Sequence, residues 1–532
     1  MRERAALAAL ALAAVVAWAL VPTYPDYDAY HHLVWGRDLV HGLTPGFEDP
    51  FAPTPHPLYL GLAAVLSLAG EHADRLLVLV TVLSLVALVA AAFALGRSLF
   101  GTAAAYLGAC FVGSSFAFLL YAVRAFVDVP FLALVVWAAA LEARRARRGA
   151  APMALLAAAG LLRPEAWVLA GLYWLWCLPS GPSPNVPQEM PGADHRLAAS
   201  SDARCARGTP SVLRPCQPAP ASRHFLRNVQ RRPTNRSIRE RAGLLALAAA
   251  APVLWCLVDL AVTGDPLFSL TNTQALSDSL ERERGLAHVP SLFVTFLADL
   301  ARPPVALAGV IGLVLALRRL GPRRLAIPLA LLGAGALTFV AIGVAGLSLI
   351  PRYLTVPAVA LCVLAGYAVM GFATLEPGPL RTRWRTGAAG ALVVGVAFLV
   401  VKAGSFGALR SELRFIDRTH DEVSALVAQP EVRAGLRCGA LTFPTYRLVP
   451  DARWLLHAGA GTVRTRAGRD GTVRPPGAVA VYITGDEKFD RRFGRADGVS
   501  RATNRPIRPA AGVPARRHGP FAVYVVCRAR PR

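Results

Sequence analysis

Two aspartates one residue apart, Asp26 and Asp28, follow directly on the first apolar stretch, in "VPTYPDYDAYHHLVWGRDLVHG" (Val21 to Gly42). Tyr30, His31, His32 and Arg37 come next. Two carboxylates beside a nonpolar boundary can act as a base and as the group that orients it, because burial separates their proton affinities. A solvated loop would explain one charge and needs no D-x-D. His31 and His32 read as partly buried aromatic side chains rather than as metal ligands.

Further ionisable residues recur at the edges of apolar runs. "RAFVDVP" holds Arg124 and Asp128, "LLRPEAW" holds Arg163 and Glu165, "TGDPLFS" (Thr263–Ser269) follows a later run, and "IPRYLTVP" holds Arg352 and Tyr353. Each has a plain structural reading. Asp128, two residues before Pro130, could cap a helix. Arg163 and Glu165 could form a structural pair. Asp265-Pro266 could be a turn. Arg352 could snorkel to lipid headgroups. Ionisable groups near a bilayer are costly, however, so several gathered on one side point to a site.

The elements that must position these residues are membrane helices. The chain has 532 residues, 55% of them hydrophobic and only 17% charged, against about a quarter charged in soluble domains. Apolar runs long enough to cross about 30 Å of hydrocarbon recur throughout. The net charge of +24 does not imply nucleic-acid binding. Lys402 and Lys488 are the only lysines, no basic stretch is interleaved with aromatic residues, and much of the charge lies between apolar runs, where it retains loops in the cytoplasm.

The eight cysteines include no C-x-x-C. Cys110, Cys177, Cys256 and Cys362 sit in apolar runs as small hydrophobes. Cys438 and Cys527 lie in the polar C-terminal part and could pair if that part is outside the cytoplasm.

The first helix covers about residues 5–22, uncleaved because further spans follow, with its N-terminus inside. "HPLYLGLAAVLSLAG" (His56–Gly70) is short for a span, and a crossing there would put "EARRARRG" (Glu142–Gly149) outside, against the positive-inside rule. Residues 22–74 are therefore expected to form one large external loop with interfacial helices. Spans follow at 75–96, 102–122 and 127–143, then two short helices at 151–162 and 165–178, broken near Arg163 by Pro164. Residues 179–241, rich in Pro, Ser and Arg, read as a disordered cytoplasmic insertion. Later spans at 242–262, 303–318, 325–348, 354–373 and 387–404 bring the total to about eleven and place the C-terminus outside. Residues 406–532 read as a small extracytoplasmic α/β domain, with "CGALTF", "AVAVYIT" and "FAVYVVC" as buried strands.

This ordered set of motifs resembles the GT-C superfamily of membrane glycosyltransferases, which use polyprenyl-phosphate sugars and include protein O-mannosyltransferases and aminoarabinose transferases. The resemblance covers most of residues 1–405. It rests on "PDYDAYHH", similar to the family's modified D-x-D in the first external loop, on "RDLVHG", and on "PTPHPLYLGLAAVLSLAG", "RAFVDVPFLALVVWAAALE", "LLRPEAW" and "PRYLTVPAVALCVLAG". Some relatives carry a lysine before the double proline that meets donor phosphate, where this chain has "PHP" with His56. No counterpart is recognised for the basic insertion.

The resemblance implies a multi-pass plasma-membrane enzyme with an outward-facing site, moving a sugar with inversion from a polyprenyl-phosphate donor to a glycan, lipid or protein acceptor. Asp26 or Asp28 would be the base. Arg352, Arg124, Arg163 and His56 would hold donor phosphate. Tyr30, His31, His32, Arg37, Asp128, Glu165 and Tyr353 would bind substrate. No cofactor is required by these motifs, and a divalent metal is left open. Two other readings compete: a transporter or flippase of a lipid-linked glycan, which would carry its acids near the midplane of its helices, and a surface-binding C-terminal module on a membrane anchor.

Overall fold

The computed structural model describes residues 2–43, 45, 46, 50–178, 237–280, 282–402, 404–495, 498–505 and 515–526. Most of the expected insertion at 179–241 lies outside them.

The chain opens with α1 (Arg2–Leu20), an Ala- and Leu-rich helix. The next helix, α2 (Tyr27–Val40), starts where it does because Asp26, in extended conformation, accepts the Ala29 N–H at 2.9 Å and so caps it. The following α3 (Pro57–Ser67) has proline at its first position, where no backbone donor is lost. Its 11 residues cannot cross about 30 Å at about 1.5 Å per residue.

The backbones of α2 and α3 touch. A Cβ on Gly36 would lie 2.5 Å from Ala64 N and 2.7 Å from Ala63 C. Gly36→Ala must therefore push the two helices apart, at a cost of about 1–3 kcal/mol. A lower unfolding temperature of the solubilised protein is the expected reading, and an unchanged one would mean that α2 can shift freely.

The bundle continues with α4 (Ala73–Phe100), α5 (Thr102–Gly113), α6 (Phe116–Val123), α7 (Asp128–Arg144), α8 (Ala150–Gly160) and α9 (Glu165–Cys177). The expected single helix at 102–122 is instead the pair α5 and α6, bent by 56°. At the bend, the Ser115 hydroxyl leaves its own helix to donate to Leu300 O at 2.8 Å. The break between α8 and α9 falls at Arg163-Pro164 as expected.

Beyond the insertion come α10 (Ile238–Thr263), opened by a Ser237/Glu240 capping box, then α11 (Phe268–Ser279) and α12 (Val289–Ala301). These last two fold a stretch expected to be loop. Four more apolar helices follow: α13 (Pro303–Leu320), α14 (Ala326–Val344), α15 (Thr355–Met370) and α16 (Pro379–Val401).

Among the described residues seven helices are long and apolar enough to cross a membrane, or eight with the bent pair as one span. The difference from about eleven lies mainly in α7, α8 and α9, with 17, 11 and 13 residues. Helix α15 is buried along its whole length except its last residue. Glycines let its neighbours approach it: a Cβ on Gly312 would overlap Leu364 O, and one on Gly366 would overlap Ala104 O. Small residues serve this purpose where lipid supplies no hydrophobic drive between helices.

A polar helix, α17 (Gly404–Ala428), leads from α16 into the C-terminal unit. After α18 (Pro430–Leu436) and before α19 (Val449–Leu455) comes β1 (Leu441–Phe443). It is the first strand of a five-stranded mixed sheet with β2 (Val463–Thr465), β3 (Val479–Ile483), β4 (Arg516–His518) and β5 (Phe521–Val525), in the order β2-β1-β3-β5-β4. The three expected apolar strands are β1, β3 and β5. The strands β1 and β3 pair in parallel, and β3 and β5 antiparallel. Cys438 is disulfide-bonded; its expected partner, Cys527, lies outside the described residues.

Candidate active site

The break in the helix hairpin α8–α9, the turn between α6 and α7, the entry to α2 and the entry to α15 all meet at one end of the bundle. Asp128, wholly buried at the start of α7, sits between two arginines. Its Oδ2 accepts from Arg352 Nε at 2.9 Å and its Oδ1 from Arg163 Nη1. It does not cap its helix.

Arg352 also donates through Nη1 to Asp28 Oδ2 at 3.0 Å, and it lies over the Phe126 ring. It is thus tied to two carboxylates rather than snorkelling. Arg163 spends its remaining donors on Glu165 Oε1, at 3.0 and 2.5 Å, and its plane is flanked by Phe131 and Tyr353. Arg124 donates through Nη1 to Tyr24 O at 2.9 Å, while its own carbonyl accepts the Asp26 N–H at 2.8 Å.

These groups open onto a cavity of about 1000 Å³. Asp26, Asp28, Tyr30 and His56 line it from the first loop region, and Arg124, Arg163, Glu165, Arg352 and Tyr353 from the bundle. Four residues singled out by sequence do not line it. Asp128 lies behind the arginines. Arg37 reaches the C-terminal unit, donating to Ala458 O at 2.9 Å. His31 is buried between Tyr27 and Trp35 with no hydrogen-bond partner on either ring nitrogen among the described residues. His32 is held by its backbone neighbours.

The His32 tautomer follows from those neighbours. Its Nδ1 donates to Asp28 O at 2.7 Å, and its Nε2 accepts the His56 N–H at 3.1 Å. Burial pushes the ring down to about 4, so it is neutral. His56 stacks on it at 5.3 Å. Burial first, then His32, Arg352 and Arg163, hold His56 well below its ordinary value. His56 therefore offers hydrogen bonding to a ligand but not a charge. Asp26 shows the opposite shift. Burial, and then the neighbouring Asp28, raise it to about 7 against the pull of Arg124 and Arg352. Among the described residues no group of three or more His, Cys, Asp or Glu converges to hold a metal ion.

Sequence reasoning did not find the roof of this cavity. Glu412, Thr419, His420, Arg447, Asp451 and Arg492 from the C-terminal unit line it. The signal available was His420 flanked by acids in "DRTHDE", but nothing local says that this helix faces the first loop. Asp259, with its carboxylate held by Ser269 N and Oγ at 2.8 and 2.9 Å, lines the far wall. Asp265 is a turn residue, accepting the Leu267 N–H at 2.9 Å.

The bundle with its broken helices, its loop helices at one end and its small sheet unit above them shares its fold with a solved membrane-protein structure. The solved structure of ArnT from Cupriavidus metallidurans bound to undecaprenyl phosphate is similar over 97% of this chain and 97% of its own, at 13% identity with a TM-score of 0.52. Two structures from Archaeoglobus fulgidus are also similar at 13% identity. The oligosaccharyltransferase in the apo form matches over 86% of this chain and 63% of its own, with a TM-score of 0.43. The oligosaccharyltransferase AglB in complex with an inhibitory peptide and a dolichol-phosphate matches over 86% and 64%, with a TM-score of 0.42. No family model and no curated protein matches the chain.

Proposed function

We propose that this protein is an inverting glycosyltransferase that moves a sugar from a polyprenyl-phosphate donor to a cell-envelope acceptor on the extracytoplasmic face. The observation that carries this reading is a buried carboxylate, Asp26, sharing one cavity with Arg124 and Arg352. Asp26 takes the proton of an acceptor hydroxyl as that oxygen attacks the anomeric carbon. The bond from that carbon to the phosphate oxygen breaks on the opposite face, and the configuration inverts. The leaving group is a lipid phosphate, whose growing charge needs cations. Undecaprenyl phosphate, bound in the similar ArnT structure, is a lipid phosphate of the same class.

The three arginines are not equivalent. Arg163 is fully engaged by Asp128 and Glu165 and serves best as scaffold. Among the described residues Arg352 Nη2 has no hydrogen bond, and the Arg124 side chain is hydrogen-bonded to a backbone carbonyl rather than to a carboxylate. These two are the phosphate-binding pair, with neutral His56 as a hydrogen-bonding neighbour. Orientation is supported by charge: the clusters at 144–148, 318–324 and 381–385 lie at or beside the ends of α7, α13 and α16 and none lines the cavity, in keeping with the positive-inside rule. Residues 406–532 are then an extracytoplasmic domain.

Arg352→Lys keeps the charge but cannot hold two carboxylates and a phosphate in one planar fork. It should raise the donor KM by roughly 10-fold, about 1.4 kcal/mol. Unchanged donor use would leave Arg352 a purely structural role. The function itself is tested by mass spectrometry of envelope glycans from cells with and without this protein. Loss of one sugar is expected. Loss of the whole glycan, with its lipid-linked form accumulated on the cytoplasmic side, would favour a flippase instead, and identical glycans would overturn the reading.

A further inference from the structure

We infer that His420 is a positioning residue for the base: from the C-terminal unit it clamps the segment 24–26 against Arg124. The inference rests on the reading of Asp26 as base. His420 sits on α17 and lines the cavity, but its ring lies flat on Tyr24, 3.7 Å between centroids and 11° between planes. On the other side, Tyr24 O accepts from Arg124 Nη1 at 2.9 Å and the Asp26 N–H donates to Arg124 O at 2.8 Å. The chain leading into the cap of α2 is thus gripped from both sides.

The same imidazole holds α2 one turn further on. Tyr30 O–H donates to Asp74 Oδ2 at 3.2 Å, so its oxygen is left to accept from His420 Nδ1, also at 3.2 Å. That nitrogen lies 3.2 Å from Asp451 Oδ1 on α19. One ring therefore joins the residue two before Asp26, the residue four after it, and the sheet unit. The contacts of Arg37 and Asp38 with residues 453–458 also tie α2 to the C-terminal unit, but they lie more than two turns beyond Asp26.

The groups facing His420 make the clamp depend on charge. Asp451 approaches from α19, Asp74 from α4, and Asp421 and Asp417 from its own helix. Arg75 opposes them beside Tyr24 and Asp417, and Arg124 beside Tyr30. Burial alone would lower His420, but Asp451, 3.2 Å away, and the surrounding carboxylates outweigh it and raise the ring above its ordinary value. The cation holds below that raised value, and the grip weakens as pH rises through it.

The test uses the full chain in lipid nanodiscs, with transfer from a polyprenyl-phosphate sugar followed against pH. His420→Ala should lower kcat on the order of 100-fold, the scale of an ångström of misplacement, with donor KM little changed. His420→Phe keeps the stack on Tyr24 and should recover about tenfold of that loss, while lacking the alkaline fall of the parent protein. A parent-like alkaline limb in His420→Phe, or full kcat in His420→Ala, overturns the clamp. Hydrogen exchange at residues 24–30 separates this inference from the functional reading. Faster exchange in His420→Ala supports the clamp even if no donor is turned over, and equal exchange rejects it. Should His420→Ala not fold, the same two measurements on His420→Phe decide.

Discussion

Asp26→Asn should leave the protein inserted and folded while lowering transfer by roughly 100-fold or more, the usual scale for loss of a general base. The choice of Asp26 over Asp28 comes from their surroundings. Asp28 is paired with Arg352 at 3.0 Å, which keeps its charge committed. Asp26 uses Oδ1 to cap α2, and its proton affinity is raised to about 7 by burial and by Asp28. A base poised there is available at neutral pH and still basic enough to take a hydroxyl proton.

Because only the deprotonated form accepts the proton, the parent rate should rise as pH climbs through about 7, with that limb absent in Asp26→Asn. Stability should move the other way. A carboxyl raised from its ordinary 3.8 to about 7 binds its proton more tightly when folded. Its contribution is present at low pH and is lost as pH rises toward 7. At about 1.4 kcal/mol per pH unit, Asp26→Asn should be more stable than the parent by a few kcal/mol above neutrality. Asp28→Asn should act mainly through Arg352, on donor KM. Full transfer by both single variants and by the double would sink the assignment.

The helices were legible because hydropathy is a local signal, and the site only in its parts. Asp26 and the Pro164 break could be placed from a few residues each. What joins them could not: Arg352 meets Asp128 across 224 positions, and Tyr30 meets His420 across 390. The bend between α5 and α6 was invisible for the same reason. No proline marks it, and the Ser115 hydroxyl finds its acceptor 185 residues away. Strands β2 and β4, three residues each and carrying arginines, show no apolar run to read. His56 makes the complementary point. Its position among the motifs suggested a cation for phosphate, but burial first, and then His32 and two arginines beside it, keep the proton off it.

Asp128 should be the costliest residue of the site to remove, although it does not line the cavity. It is fully buried, and both Arg163 and Arg352 share it. Breaking a buried pair by deleting one partner strands the other charge away from water, at about 3–5 kcal/mol. Here a single deletion affects two guanidinium groups at once. Each retains a second carboxylate, Glu165 for Arg163 and Asp28 for Arg352, so the effects need not double. Asp128→Ala should therefore destabilise the solubilised protein by about 3–5 kcal/mol and abolish measurable transfer. Asp128→Asn keeps the shape and one acceptor oxygen, and should fold better while still misplacing Arg352. The discriminating variant is the triple replacement Asp128→Leu, Arg163→Met, Glu165→Leu, which removes the scaffold charges together and leaves Arg352 with Asp28. If burial of unpaired charge is the cause, it should regain much of the stability lost in Asp128→Ala, because apolar groups of similar size often replace a buried ion network at little cost. It should not regain transfer, since Arg352 would lack the partner that fixes its plane. Recovery of transfer in this triple, which still lacks Asp128, would show that Arg352 does not need that partner.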